Sequence, residues 1–320
     1  MKTMKLWDGR VVPRIGMGCW AIGGKPPGAQ ASGYGPVDDA ESRAALKLAR
    51  ELGARVFDTA DAYGDGHSET LVGEAFGDDD EVVIVTKFGY WLDPENGLDL
   101  RPAGIRALVD ASRRRLRRDC LDLVFFHVNE YPAADAGPIF DTLGELRSEG
   151  RIAAFGWSTD FVDSLRAFVD LDGFVAVEND LNVFSPADDL MRLAERKGIV
   201  SINRLPLAMG LLTGKYDDGR QVGPYDIRKE RLPWMKFFTD GRATPAYLER
   251  LGAIREVLTS GGRTLAQGAL GWILARSPIA LPVPGFKTEA QVRENFGASV
   301  KGPLSPDMMA EIDRLLDRQG

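Results

Sequence analysis

Read for hydrophobic periodicity, the 320-residue chain alternates short apolar runs with longer segments of helical spacing. Eight runs read as strands: Ile15 to Trp20, Arg55 to Phe57 leading to Asp58, Glu81 to Lys87, Leu121 to His127, Ile152 to Trp157, Phe174 to Glu178, Ile199 to Leu205 and Ile279 to Val283. The run Val82-Val83-Ile84-Val85-Thr86 is continuous rather than alternating, as in strands buried on both faces of a parallel sheet. Helical spacing fills the intervals. Asp38 to Leu52 has Ala45, Ala49 and Leu52 on one face, Asp38 with Glu41 as a capping box, and Gly53 as its stop. Further helices are expected over Ser68 to Phe76, Pro102 to Arg118, Ile139 to Glu149, Thr159 to Val169, Ser185 to Lys197, Pro245 to Leu258, Thr264 to Ala275 and Thr288 to Phe296. Ser305-Pro306-Asp307 opens a terminal helix with Met309, Ile312 and Leu316 inward. Before the first strand, Leu6-Trp7, Asp8-Gly9 and Val11-Val12 predict a hairpin. The Gly- and Pro-rich stretch 23–36 reads as a loop, and 206–245 is long enough to suggest a functional one.

One hairpin followed by eight alternating strand and helix units predicts an α/β fold: a (β/α)8 TIM barrel with an N-terminal β-hairpin and a C-terminal extra helix, a single domain over 1–320. A doubly wound dinucleotide fold should open with Gly-x-Gly-x-x-Gly, and Gly16-Met17-Gly18-Cys19-Trp20-Ala21 does not complete it. Composition narrows the partners. A net charge of -7 argues against nucleic acid. Cys19 and Cys120 are too few for a disulfide framework, no Cys-x-x-Cys pair suggests a metal, and reduced thiols suit a cytoplasmic protein. The N-terminus does not read as a signal peptide, and no apolar run approaches the ~20 residues that span a bilayer. The arginines 113–115, 117 and 118 read as a solvated helix face.

Four polar residues stand at or just beyond strand ends: Asp58, Tyr63, Lys87 and His127. In a β/α barrel that rim carries the chemistry. Each has a bland reading as a turn cap, a rim aromatic, a solvated lysine or a core histidine, but four on three consecutive strand ends point to one site. Lys87 beside Tyr63 is expected to lower the phenol's pKa, with Asp58 holding Lys87 charged and a neutral His127 donating to a carbonyl oxygen. Tyr63 would protonate that oxygen as a hydride reaches carbon, which calls for a nicotinamide cofactor.

The chain resembles the aldo-keto reductases. The resemblance rests on Phe57-Asp58-Thr59-Ala60-Asp61-Ala62-Tyr63-Gly64, Ser68-Glu69-x-x-x-Gly73, Val85-Thr86-Lys87, Leu121-Asp122-Leu123 leading to His127, and Gly156-Trp157-Ser158. It continues through Pro206-Leu207-x-x-Gly210-Leu211-Leu212-Thr213-Gly214-Lys215 and Pro284-Gly285-x-Lys287-Thr288-x-x-Gln291-x-x-Glu294-Asn295. It implies an NADP(H)-dependent barrel that reduces an aldehyde or ketone, or runs the reverse, with Asp58, Tyr63, Lys87 and His127 catalytic. It also implies Ser158 at the nicotinamide carboxamide, Leu207, Gly210 and Lys215 along the pyrophosphate, and Gly285, Lys287, Thr288, Gln291 and Asn295 at the adenosine 2′-phosphate and adenine. Lys287 offers the charge a phosphate wants and favours NADP over NAD.

Three positions depart from the family pattern. Thr159 stands where Asn is common, Glu178 where Gln is common, and Arg204 where a stacking Tyr is common. An ion pair between Glu178 and Arg204 beneath the nicotinamide is the expectation. Trp20 and Trp91 are expected in the substrate pocket, with Phe237 or Phe238 from the long loop closing it; such walls suit aromatic aldehydes and sugars alike. Arg228 and Arg231 read equally as phosphate clamps or surface charges. The partner expected is a small carbonyl or alcohol, with no nucleic acid, no membrane and the oligomeric state open. An alternative reading is an NADP(H)-binding regulatory or redox-sensing barrel with little turnover. A barrel hydrolase using Asp58 and Asp61 ranks last, because it leaves Lys87 and the Lys287 motif unused.

Overall fold

The computed structural model describes residues 2–24, 33–90 and 99–318. Strands β1 (Thr3–Lys5) and β2 (Val11–Pro13) form the antiparallel hairpin. The barrel strands follow: β3 (Met17–Gly18), β4 (Val56–Asp58), β5 (Val83–Phe88), β6 (Leu123–Phe126), β7 (Phe155–Ser158), β8 (Phe174–Asp180) and β9 (Val200–Arg204). A two-stranded ribbon, β10 (Phe238–Thr239) with β11 (Arg242–Ala243), lies in the long stretch before the eighth barrel strand, β12 (Ala280–Pro282). All eight barrel strands pair in parallel, in the order β12-β9-β8-β7-β6-β5-β4-β3. A parallel bridge from Gly18 to Gly285 closes the ring, with Gly18 N donating to Pro284 O at 3.0 Å. A Cβ on Gly18 would meet the Val283 carbonyl oxygen at 2.5 Å, so the closing seam requires glycine there.

The helices are α1 (Asp39–Glu51), α2 (His67–Phe76), α3 (Pro102–Leu116), α4 (Gly137–Ser148), α5 (Val162–Phe168), α6 (Asp188–Lys197), α7 (Pro245–Thr259), α8 (Leu265–Arg276), α9 (Glu289–Lys301) and α10 (Pro306–Leu315). Asp38 caps α1 by accepting from the Ala40 and Glu41 amides, and Thr264 and Thr288 form capping boxes with Gln267 and Gln291. The elements fall where periodicity puts them, with boundaries shifted by up to three residues, except that α9 runs five residues past Phe296 to Lys301. The first barrel strand is much shorter than expected, because a 3₁₀ turn at Trp20–Ile22 replaces its C-terminal half. Among the described residues no helix is long and apolar enough to cross a membrane.

Strand alternation divides the core in two. Val56, Val83, Val85, Leu123, Phe125, Ala176, Val200 and Ile202 fill the barrel, and Leu6 and Val12 of the hairpin join them from below. Phe57, Ile84, Phe88, Val124, Phe126, Phe155, Trp157 and Val177 point outward to the helices. The inward register, carried two residues further at each C-terminal end, selects Asp58, Lys87, His127, Ser158, Glu178 and Arg204.

The arginine run is not wholly a solvated face. Arg115 reaches the buried Glu69 at 2.6 Å, and Arg118 donates to the carbonyls of Phe76, Asp79 and Val82.

Candidate active site

The loop after β4 is braced before it is functional. Thr59 Oγ1 donates to Ser68 Oγ at 2.8 Å, and Ser68 Oγ donates to Cys19 O at 2.9 Å. Glu69, fully buried, accepts from Thr86 Oγ1 at 2.5 Å and from Arg115. Gly73 lets α2 press on α3, since a Cβ there would sit 2.1 Å from the Arg115 carbonyl oxygen. Gly64 (φ +66°) and Gly23 meet backbone to backbone, fixing Tyr63 at the loop's apex. The Ser68-Glu69-x-x-x-Gly73 motif therefore packs a scaffold rather than touching the cavity.

At the barrel's centre lies Lys87, 1% exposed. Its Nζ donates to Asp58 Oδ1 at 2.6 Å, to Thr59 O at 2.8 Å and to Tyr63 Oη at 3.3 Å. These three bonds use all three ammonium protons. Glu178, also fully buried, stands 3.3 Å from the same nitrogen. Burial works against the ammonium, but Asp58 and Glu178 outweigh it and hold Lys87 protonated above the usual lysine range. Burial pushes the Asp58 carboxyl up to about 7 against the pull of Lys87, with Glu178 adding to the rise. Lys87 does pull the Tyr63 pKa down, as expected, but the net shift is upward. Burial pushes the phenol above its ordinary range; Lys87 opposes this, while Asp58 and Glu178 reinforce it. His127 is held far below the usual imidazole range by burial, with Lys87 and Arg204 adding to the effect, so it is neutral. Its ring lies edge-on to Tyr63 at 6.1 Å and is tilted against Tyr90 at 5.1 Å.

Above this floor opens a cavity of about 1060 Å³. Asp58, Tyr63, His127 and Trp20 line one end, and Gly285, Lys287, Gln291 and Asn295 the other, with Ser158, Arg204, Leu207, Gly210 and Lys215 between. Trp20 stacks on Tyr63 at 5.9 Å. Leu205, Ala208 and Met209 all hold positive φ, so backbone strain is concentrated along this wall.

Several expected residues lie elsewhere. Thr159 is one step past Ser158 in strand parity, so it points outward and its hydroxyl donates to Asn129 O at 2.9 Å. Thr288 is taken up as the α9 cap and does not line the cavity. Glu178 lies beneath the cavity rather than in its wall. The expected Glu178–Arg204 ion pair does not form. Arg204 pairs with Asp160 at 2.5 Å and Asp180 at 3.0 Å, because both acids reach its rim position while Glu178 is one layer deeper beside Lys87. Phe237 and Phe238 are core residues, and Trp234 faces the cavity instead. Arg231 is exposed and pairs with Asp240, whereas Arg228 lines the cavity, held by Asp226 and ringed by Tyr34, Tyr216 and Phe238 at about 5 Å. Trp91 lies outside the described residues. Sequence reading missed Tyr34, Tyr90 and Trp234. They come from loops whose approach to the cavity leaves no period to read, although loop aromatics were a signal.

Lys215, Arg220, Arg228 and Lys287 line the cavity, with Arg228 paired to Asp226 and Arg220 to Asp218, while the Asp160 and Asp180 that also line it are paired to Arg204. Burial lowers the Lys287 pKa, with Asp226 opposing and the neighbouring Arg228 and Lys215 lowering it further, so an anion there would relieve the crowding. The Lys287 ammonium donates to the carbonyls of Tyr34, Gly35 and Pro36 at 2.8–3.4 Å, which ties the N-terminal loop to the mouth of α9.

The profile of the family described as Aldo/keto reductase matches residues 14–317. The chain is 30% identical to the aldo-keto reductase yakc of Schizosaccharomyces pombe, whose name specifies NADP(+), over 96% of this chain and 89% of that one. It is 29% identical to the NADH-specific methylglyoxal reductase of Escherichia coli, over 95% and 96%. Among solved structures, a glycerol dehydrogenase from Gluconobacter oxydans aligns with a TM-score of 0.79 at 26% identity, covering 98% of this chain and 94% of that one. An aldo-keto reductase from Klebsiella pneumoniae in complex with NADPH aligns at 0.72 and 25%, covering 99% and 96%.

Proposed function

This chain belongs to the aldo/keto reductase family, and from that premise we propose that it reduces a small aldehyde or ketone with NADPH, Tyr63 delivering the proton. The observation that carries the reading is the Lys87 ammonium bridging Asp58 and the Tyr63 oxygen at the floor of a cavity large enough for a dinucleotide and a small substrate.

When bound, the nicotinamide cofactor would supply a hydride to the carbonyl carbon. The protein's part is to hold both reactants and manage one proton. Lys215, Lys287 and the N-terminus of α9 form the cationic end suited to the cofactor phosphates. Ser158, whose hydroxyl has no hydrogen-bond partner among the described residues, suits the carboxamide, and Leu207 and Gly210 form the wall between. Because Lys87 donates to Tyr63 Oη, the phenol's own hydrogen is free for the cavity. A carbonyl oxygen between Tyr63 and the neutral His127 receives that proton as charge develops on it, and Lys87 stabilises the phenolate left behind. Reprotonation from solvent restores the site. Trp20, Tyr90 and Trp234 supply aromatic wall to the cavity for the substrate.

The test is NADPH consumption over a panel of carbonyl compounds, in wild type and Tyr63→Phe. Turnover that falls by ~10²–10⁴-fold in kcat with little change in nucleotide affinity supports the reading. Wild-type turnover that survives the substitution removes Tyr63 as the donor. Tight nucleotide binding without turnover on any carbonyl would instead favour a regulatory barrel.

A further inference from the structure

Asp58 already accepts from Lys87 at 2.6 Å, yet the barrel buries a second carboxylate beside the same nitrogen. Glu178 is fully buried on β8, 3.3 Å from Lys87 Nζ. Neither of its oxygens receives a hydrogen bond among the described residues, since Thr59 O, Asp58 and Tyr63 take the three ammonium protons. A buried carboxylate with no proton donor acts through charge alone. The other groups facing the cluster are few. Asp58 comes from β4, neutral His127 from the end of β6, and the Cys19 thiol, pushed up by burial, from beside β3. Arg204 on β9 is already shared by Asp160 and Asp180. Asp61 lies across the loop with Glu69 and Arg115. Within this shell one lysine charge faces two carboxylates.

Building on the Tyr63 reading, we propose that Glu178 is a positioning residue acting through Lys87: by sharing the ammonium's charge with Asp58 it withholds that charge from the Tyr63 oxygen and keeps the phenol protonated. Tyr63 thereby stays protonated, as a donor to a carbonyl must be, over a wider pH range, and becomes the phenolate needed to take a proton from an alcohol only at higher pH. A neutral amide at this position would leave the full lysine charge for the phenolate and move both limits down. Strand parity explains why the residue can do this: Ala176 and Glu178 are successive inward positions of β8, which puts the carboxylate one layer below the cavity, beside Lys87 rather than against a ligand.

The experiment titrates the phenolate absorbance of wild type and Glu178→Gln, each against the same protein carrying Tyr63→Phe, so that the difference isolates Tyr63 without cofactor or turnover. In wild type the Tyr63 signal is expected only at the alkaline end. In Glu178→Gln it appears about one pH unit earlier. The alkaline limb of carbonyl reduction and the acid limb of alcohol oxidation move down by the same interval. Glu178→Asp, which keeps the charge, retains the wild-type limbs, while Glu178→Met, which removes it without adding an amide, shifts them as Gln does and serves if the Gln variant fails to fold. A midpoint unmoved in the Gln and Met variants, or moved equally in Asp, overturns the proposal even if Tyr63→Phe has abolished turnover. Turnover that survives Tyr63→Phe counts against the donor assignment instead, independently of the titration.

Discussion

Asp61 shows how much a single carboxyl's surroundings matter. It stands three residues after Asp58, half-buried, with Oδ1 lacking a partner among the described residues. Burial pushes it up to about 8, Glu69 adds to this, and the Ala62 amide and Arg115 oppose it. The folded state thus binds this proton more tightly than the unfolded chain, whose aspartates titrate near ~3.9. Stability contributed by the neutral carboxyl is full at low pH and is lost as pH rises through about 8. Asp61→Asn should match wild type near pH ~4 and exceed it by about 1–2 kcal/mol near pH ~9, after allowance for partial exposure. Urea unfolding at the two pH values checks this, and parallel pH dependence in the two proteins would refute it. The same position disposes of the hydrolase reading. Asp61 does not line the cavity, so the Asp58–Asp61 pair does not face a substrate there.

At the scale of elements, the strands present the site and the helices hold the strands' loops in place. The α2–α3 contact is the sharpest case. A methyl on Gly73 would meet the Arg115 carbonyl oxygen at 2.1 Å and Leu116 Cα at 2.7 Å, both backbone atoms unable to swing aside. Gly73→Ala should therefore destabilise by about 1–3 kcal/mol. Because α2 begins four residues after Tyr63, it should also lower kcat more than it weakens nucleotide binding. A variant with wild-type melting temperature and turnover would show that the two helices separate freely. The wall formed by the long stretch after β9 is a second such element. Asp226 and Tyr34 bridge in antiparallel fashion, and Ile227 N donates to Gly33 O at 2.8 Å, so two loops distant in sequence form one side of the cavity.

For the whole molecule, the lysines and arginines that line the cavity bear on which ligand fits. The cationic end predicts that NADPH raises the melting temperature more than NADH at equal concentration. Lys287→Met should cost about tenfold in NADPH affinity, or ~1.4 kcal/mol, and leave NADH binding unchanged. Equal loss for both nucleotides would mean that Lys287 serves by tying down the carbonyls of Tyr34, Gly35 and Pro36 rather than by meeting a phosphate. The contrast matters because relatives of similar identity are named for NADP(+) in one case and for NADH in the other.

The barrel was legible in the sequence because its signals are local. Continuous apolar runs mark strands covered on both faces, caps such as Asp38 and Thr288 mark helix starts, and the alternation of the two requires parallel pairing. Asp58, Tyr63, Lys87 and His127 were legible for the same reason, since each stands at or a few residues beyond the C-terminal end of a strand. Strand parity was equally available and would have turned Thr159 outward. Tertiary structure alone decided the rest. Which acid pairs with which base depends on depth within the barrel, and so Glu178 goes to Lys87 while Arg204 goes to Asp160 and Asp180. The direction of the Tyr63 shift depends on how completely the phenol is buried, a quantity summed over residues from distant parts of the chain. A sequence orders neighbours along one dimension, whereas desolvation and ion pairing are set by distances across the barrel.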